Sequence, residues 1–452
     1  MIKRGIFKAN DIRGITEGPD PEWDMSGAYA IGAACVDVLD LRSGAGALVV
    51  GRDMRLSGPR MVSAFIDGVL SGGVDVIDIG LSSTDQLWFA SGWLDLPGAM
   101  FTASHNPAAY NGIKFCVAGA KPITSANLGD IAERAGGPAA ASAEITPGKR
   151  TERDVLTAYA EHLHSLVDLT GIRPLRVVVD AGNGMAGYTS PAVLNRDDLE
   201  LIGLFTELDG SFPNHPPNPL EPENLRDAQA AVRDNTADLA LVFDGDADRC
   251  FIIDERGTVV SPSVVTAMIA THELAREPGG TIVCNKITSR IVPEVVQAEG
   301  GKIVITRVGH TFVKAAMAEH DAIFGGEHSA HYYFRDFWGA DTGMLAALHV
   351  LAAVGHADRP LSELVARFDR YAASGEINTR VADQQMIMDR VAAAFADRGE
   401  QDRIDGLTVS GPDWWVNVRP SNTEPLLRLN VEAAAVETME ALRDEALGLI
   451  RA

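Results

Sequence analysis

Three stretches of the chain run apolar, polar, amphipathic and apolar again, in the same order. The first, GALVVGRDMRLSGPRMVSAFIDGVLSGGVDVIDIG, spans residues 46–80. The second, LRVVVDAGNGMAGYTSPAVLNRDDLELIGLF, spans 175–205, and the third, TIVCNKITSRIVPEVVQAEGGKIVITRVG, spans 281–309. Each predicts a strand, a turn, a helix and a second strand. Short apolar runs separated by helical stretches make βαβ units on a mostly parallel sheet. Three such units at roughly hundred-residue spacing predict three related α/β domains. Helices are also expected over VLTAYAEHLHSLVD, LSELVARF and the final VETMEALRDEALGLIRA.

Breaks in this rhythm set the expected boundaries. Glu133 to Asp154 is rich in Ala, Gly and Pro and closes a first domain. After Asp358 the repeat stops, and strands, a loop and a last helix make a smaller segment. The expected domains are 1–150, 151–250, 251–365 and 366–452.

Composition narrows the class. At 452 residues the chain is too long for one core. Its net charge of −23 argues against a nucleic-acid or anionic-membrane binder, so an anionic ligand would need a local cluster of Arg and Lys. Cys35, Cys116, Cys250 and Cys284 are scattered without a CxxC, which predicts neither a zinc site nor a disulfide framework. The start, MIKRGIFKANDIRG, lacks the apolar run of a signal peptide and no stretch is long enough to span a bilayer, so a cytoplasmic protein is expected.

Four loops carry candidate chemistry. In FTASHNPAAYNGIKF, residues 101–115, Pro107 biases Asn106 towards an extended conformation, so Ser104, His105 and Asn106 fall in a polar turn with Lys114 beyond it. In LALVFDGDADRCFIID, Asp244, Asp246 and Asp248 alternate directly after an apolar strand. A loop would curl these carboxylates around one hard cation such as Mg²⁺. The spacing also fits part of an EF-hand, but Arg249 stands where that loop needs glycine, and the flanks read as strands. A solvated acidic turn is the plainer alternative; Arg249 beside the carboxylates favours a site that also handles phosphate. FGGEHSAHYYF brings Glu327, Ser329 and His331 together, a set suited to a polyhydroxyl ligand or to a plain surface turn. WVNVRPSNTEPLLRLNVEA places Arg419, Ser421, Asn422 and Thr423 between two strands, which is either a phosphate cradle or a well-capped hairpin.

Taken in order, TASHNP, DGDADR, GEHSAH and RPSNTEP resemble the motifs of the α-D-phosphohexomutases. FKANDIRG at the start and GRD at Gly51 to Asp53 fit the same family. GEHSAHYYFRDFWGAD looks most like its bacterial phosphomannomutases. The resemblance implies four domains around a central cleft, three related α/β mixed-sheet domains and a smaller α+β C-terminal one. It implies that Ser104 is phosphorylated and exchanges its phosphoryl group with a sugar phosphate. It further implies one Mg²⁺ per chain, held by Ser104, Asp244, Asp246 and Asp248, and a hexose 1,6-bisphosphate as activator. His105, Asn106 and Lys114 match positions beside the phosphoserine. Lys114 would act as general acid or base if cations nearby lowered its pKa, or else contact phosphate.

By the same resemblance, Arg13, Arg249, Lys286 and His310 match cleft positions, Glu327 and Ser329 would grip the sugar's 3- and 4-hydroxyls, and His331 is a second acid/base candidate. Arg419, Ser421, Asn422 and Thr423 would hold the non-reacting phosphate. Two departures stand out: Asn10 where the family often has Tyr, and Ala330 where glycine is common. The implied reaction is reversible transfer between C1 and C6 of a hexose phosphate, mannose first, by a monomer or homodimer. Phosphoglucomutase or dual-specificity activity, phosphoglucosamine mutase activity and a non-catalytic sugar-phosphate binder are the alternatives.

Overall fold

The computed structural model describes residues 2–137, 145–421 and 425–452. Each repeated stretch folds as its apolar rhythm dictates. Ala47–Arg52 and Asp75–Leu81 are parallel neighbours joined by the helix Gly58–Ser71. Leu175–Asp180 pairs in parallel with Leu199–Leu204 across the helix Ala186–Val193, and Thr281–Asn285 pairs with Lys302–Thr306 across Ile291–Ala298. The predicted helices form at Leu156–Leu166, Leu361–Val365 and Val436–Arg451. The second is shorter than LSELVARF.

The chain divides into two compact units. One comprises residues 1–260 with 329–364, and the other 261–328 with 365–452. The first unit holds two mixed sheets. In one, Tyr110–Val117 runs antiparallel to both Ile12–Ile15 and Gly98–Phe101, while Ala47–Arg52 lies parallel to Gly98–Phe101. Phe65, Phe101 and Ile113 sit in the core beneath it. In the other, Leu239–Phe243 pairs in parallel with Leu175–Asp180 and antiparallel with Cys250–Asp254. All five residues of Leu239–Phe243 are buried, as expected of a strand covered on both faces. The antiparallel pair Tyr332–Phe334 and Ala340–Asp341 also belongs to this unit.

In the second unit, Thr281–Asn285 is flanked in parallel by Lys302–Thr306 and Phe324–Gly326. The C-terminal sheet is antiparallel: Trp414–Pro420 pairs with both Leu407–Ser410 and Leu426–Ala433. Phe395, Val416, Leu429 and Leu442 form its own core. Three α/β segments and one α+β segment match the expected architecture. Among the described residues no helix is long and apolar enough to cross a membrane.

Candidate active site

Ser104 lies in the loop between Gly98–Phe101 and Tyr110–Val117. Its backbone adopts φ 50°, a left-handed conformation that non-glycine residues hold only under constraint. Its N–H donates to Thr102 Oγ1 at 2.8 Å. The side chain is 4 % exposed. Ser104 Oγ donates to Asp244 Oδ2 at 2.9 Å and accepts from Arg249 Nη2 at 3.1 Å. His105 Nδ1 lies 3.2 Å from the same oxygen and also bonds to Arg249.

The three aspartates converge as their loop placement predicts. Asp244 follows the buried strand Leu239–Phe243, the Ala247 N–H donates back to the Asp244 carbonyl at 3.1 Å, and Ala247 takes φ 59°. This tight turn directs Asp244, Asp246 and Asp248 inward, with one oxygen of each within 4.8 Å of the others. Gly245 permits the turn to approach Ser104: a β-carbon there would stand 2.5 Å from the Ser104 carbonyl oxygen. Arg249 immediately precedes the strand Cys250–Asp254, so a β-hairpin rather than an EF-hand carries the carboxylates.

Burial drives the ionisation of the site. Burial raises the Asp244 carboxyl, with Asp248 and Asp246 adding to it and Arg249 opposing. Asp246 ends below the usual carboxylate range, because Lys114 overcomes the effect of its burial. Lys114 Nζ pairs with Asp246 Oδ2 at 2.8 Å and Asp248 Oδ2 at 2.6 Å. Of the two roles open to Lys114, these carboxylates favour the phosphate contact. Burial alone would lower the Lys114 pKa, but Asp246, Asp248 and Asp341 hold it above the ordinary lysine value. Burial, followed by Arg249 and Arg13, keeps His105 neutral at lower pH than usual.

Among the described residues, the second oxygens of Asp246 and Asp248, both Oδ1, are buried without a hydrogen-bond partner, although Arg249 Nε lies 3.8 Å from Asp248 Oδ1. Orphaned carboxylate oxygens this deep are costly unless a cation takes them up. Three convergent carboxylates suit a hard divalent ion of the Mg²⁺ type.

His331 belongs to the same compact unit. Its Nδ1 lies 3.0 Å from Asp341 Oδ2 and 4.0 Å from Asp248 Oδ1. Burial would lower its pKa, yet Asp248 and Asp341 raise it overall. Arg13 Nη1 donates to Asn106 Oδ1 at 2.7 Å, and Nη2 pairs with Asp11 at 2.5 Å. Ser329 is half-buried, and Ala330 beside it adopts φ 64°, where glycine would sit without strain. The departure at Ala330 thus falls where backbone freedom matters.

In the second unit, the buried Glu327 carboxylate accepts from Asn285 Nδ2 at 2.9 Å and from the Gly309 N–H at 3.2 Å. Lys286 Nζ pairs with Asp402 at 2.5 Å, and His310 opens the helix His310–Glu319. Arg419, at the end of Trp414–Pro420, pairs with Glu376 and has Asp405 3.8 Å from its Nε. The Ser421 N–H donates to Leu426 O at 2.9 Å, closing the hairpin. Asn422 and Thr423 lie outside the described residues. Ser104, His105, Lys114, Arg13, Arg249, His331 and the three aspartates therefore gather in one unit, with Ser329 part of it too. Lys286, His310, Glu327, Arg419 and Ser421 lie in the other.

Two residues of the site escaped the sequence reading. Thr84, first residue of the helix Thr84–Leu94, donates its hydroxyl to Asp246 Oδ2 at 2.6 Å and its N–H to the Asp246 carbonyl at 3.0 Å. In sequence, SSTDQ reads only as a capped helix start. Asp341, the partner of His331, looks like any acidic residue ahead of a helix. An acid just before the Thr342 cap is the one signal that marked it.

Comparison with known proteins agrees with this geometry. Residues 4–138 match the phosphoglucomutase/phosphomannomutase alpha/beta/alpha domain I, 157–257 domain II, 262–371 domain III and 376–449 the C-terminal domain. The chain is 42% identical over 441 residues to the phosphohexose mutases of Xanthomonas campestris pv. campestris, covering 96% of each. It is 39% identical over 461 residues to a phosphomannomutase of Salmonella typhimurium, covering 100% of each. A solved phosphoglucomutase/phosphomannomutase family protein from Burkholderia thailandensis superposes with a TM-score of 0.90 at 33% identity, over 100% of this chain and 98% of the other. Motifs, fold and relatives converge: the chain belongs to the phosphoglucomutase/phosphomannomutase family.

Proposed function

We propose that this protein moves a phosphoryl group reversibly between C6 and C1 of a hexose phosphate, with mannose 6-phosphate and mannose 1-phosphate as its pair. The observation that carries the reading is the Ser104 hydroxyl, held by Asp244, Arg249 and His105 beside two orphaned carboxylate oxygens. Phosphorylated Ser104 donates its phosphoryl group to the free C1 or C6 hydroxyl. The seryl oxygen–phosphorus bond breaks as the sugar oxygen–phosphorus bond forms, and the sugar's proton passes to a base. The resulting 1,6-bisphosphate turns round and returns its other phosphoryl group to Ser104.

His331 is the better base. Asp341 engages Nδ1, which leaves Nε2 to take or give a proton. Lys114, kept protonated by its carboxylates, serves as a phosphate contact rather than a proton donor. Arg249 supplies charge-assisted hydrogen bonds next to the transferring group. Asp244, Asp246 and Asp248 would hold Mg²⁺ together with a Ser104 phosphate oxygen. When bound, this cation supplies neutralisation of phosphoryl charge.

Glu327 and Ser329 would take the sugar's 3- and 4-hydroxyls, and Lys286 and His310 are further substrate-binding candidates. Arg419 and Ser421 would hold the phosphate that is not reacting. We assign the enzyme to the cytoplasm, as a monomer or homodimer using a hexose 1,6-bisphosphate as activator.

Mass spectrometry of purified protein should find phosphate on Ser104, and Ser104→Ala should abolish turnover. Near-normal turnover by that variant would refute the assignment. Parallel assays with mannose 1-phosphate and glucose 1-phosphate, each primed with a trace of bisphosphate, test the sugar preference.

A further inference from the structure

Arg55 is completely buried, with 0% exposure, directly behind the Ser104 loop. Its guanidinium donates to four backbone carbonyls of one short segment. Nη2 bonds Ser104 O at 2.8 Å and Asn106 O at 2.7 Å, while Nη1 bonds Pro107 O and Tyr110 O, each at 2.9 Å. Nε turns the other way and pairs with Asp53 Oδ2 at 3.2 Å. Every N–H of the planar fork is thereby used. Asp53 is anchored in turn, its N–H donating to the Phe101 carbonyl at 2.9 Å and its Oδ1 accepting the Arg55 N–H at 3.0 Å. The Phe212 ring lies 5.3 Å from the guanidinium carbon.

A buried arginine that merely closes a core would spread its donors over several elements. Here four of the five go to the loop that carries the nucleophile. That loop also holds Ser104 in a left-handed conformation, which persists only where the surroundings over-determine it. We infer that Arg55 is a positioning residue that fixes the Ser104 loop, and through it the direction in which the seryl oxygen meets the sugar. Lysine cannot replace it, because three donors on a tetrahedral ammonium do not match four carbonyls and a carboxylate. This inference rests on Ser104 being the phosphoryl carrier.

The test uses full-length Arg55→Lys and, to avoid an unpaired buried carboxylate, the double variant Asp53→Asn with Arg55→Gln. Ser104→Ala is assayed alongside. In folded variants kcat should fall about 100-fold, as expected for a misdirected reacting group. KM for the hexose phosphate should stay within about threefold, because ground-state contacts are untouched. Hydrogen exchange of the amides of residues 104–110 should quicken, while exchange in the C-terminal sheet stays unchanged. A folded variant with wild-type kcat overturns the inference. So does a uniform loss of protection with kcat and KM changing together, which marks a purely structural arginine. If Ser104→Ala keeps turnover, the carrier assignment has failed, whatever the Arg55 variants do.

Discussion

The Thr84 hydroxyl donates to Asp246 Oδ2 at 2.6 Å, so a helix start in one α/β segment orients a carboxylate carried by the next. Ligand carboxylates depend on such outer partners for direction. Thr84→Val should weaken Mg²⁺ binding about tenfold, read by calorimetric titration. Unchanged affinity would show that Asp246 is held without the threonine.

Gly245 is there for space. Gly245→Ala drives a β-carbon against the Ser104 carbonyl oxygen, 2.5 Å away, and neither backbone can yield cheaply. A stability loss of about 1–3 kcal/mol is expected from such overpacking, together with slowed phosphorylation of Ser104 by bisphosphate. Denaturant titration and a phosphorylation time course measure both. Wild-type values in each would mean the two loops have room to separate.

Asp85 gives a pH signature. Burial pushes its carboxyl up to about 6, although Ser83, Thr342 and Tyr159 hydroxyls bond to it. Its folded pKa therefore exceeds an unfolded value of about 3.9. The folded chain holds the proton more tightly, so this contribution is fully present below about pH 4 and is lost as pH rises through about 6. The difference amounts to about 3 kcal/mol. Relative to Asp85→Asn, wild type should lose stability between about pH 4 and pH 7, followed by denaturation at several pH values. A constant difference would place the titration elsewhere.

Asp341→Asn should leave His331 without its carboxylate partner. Since Asp341 helps to raise the imidazole, its removal should move that limb of the pH–rate profile to lower pH. The rate should fall about 100-fold, within the range of a mispositioned general base. An unmoved limb excludes His331 as the titrating group.

Arg419 and Glu376 form an ion pair in the second unit. A phosphate reaching Arg419 displaces a carboxylate. Arg419→Ala should raise KM about 10- to 150-fold, the worth of charge-assisted hydrogen bonds to phosphate, and should release more bisphosphate per turnover. Glu376→Gln should lower KM by removing the competitor. If both variants keep wild-type KM, the phosphate is held elsewhere.

Much of this was legible because the motifs are local. An apolar strand followed by DGDADR announces converging carboxylates, and a βαβ rhythm announces its sheet. Thr84 stayed hidden because its partner Asp246 lies far along the chain, and Asp341 because an acid ahead of a helix cap carries no mark of its pairing with His331. The charge partners of Lys114 were equally out of sight. Its sequence neighbours are neutral, while the carboxylates that set its charge sit more than a hundred residues away. Arg55, three residues beyond its strand, carries no mark of the loop it serves.

The boundary between the compact units falls between His328 and Ser329, inside the GEHSAH motif. His331 and Asp341 thereby belong to the same compact unit as Ser104, the aspartates and Arg249. In the proposed reaction, the groups that break and make the phosphorus–oxygen bond all belong to the first unit. Substitutions at Arg419 or Glu327, in the second unit, should therefore show first in how long the bisphosphate stays bound, and substitutions at Ser104 or His331, in the first, in the rate of each transfer.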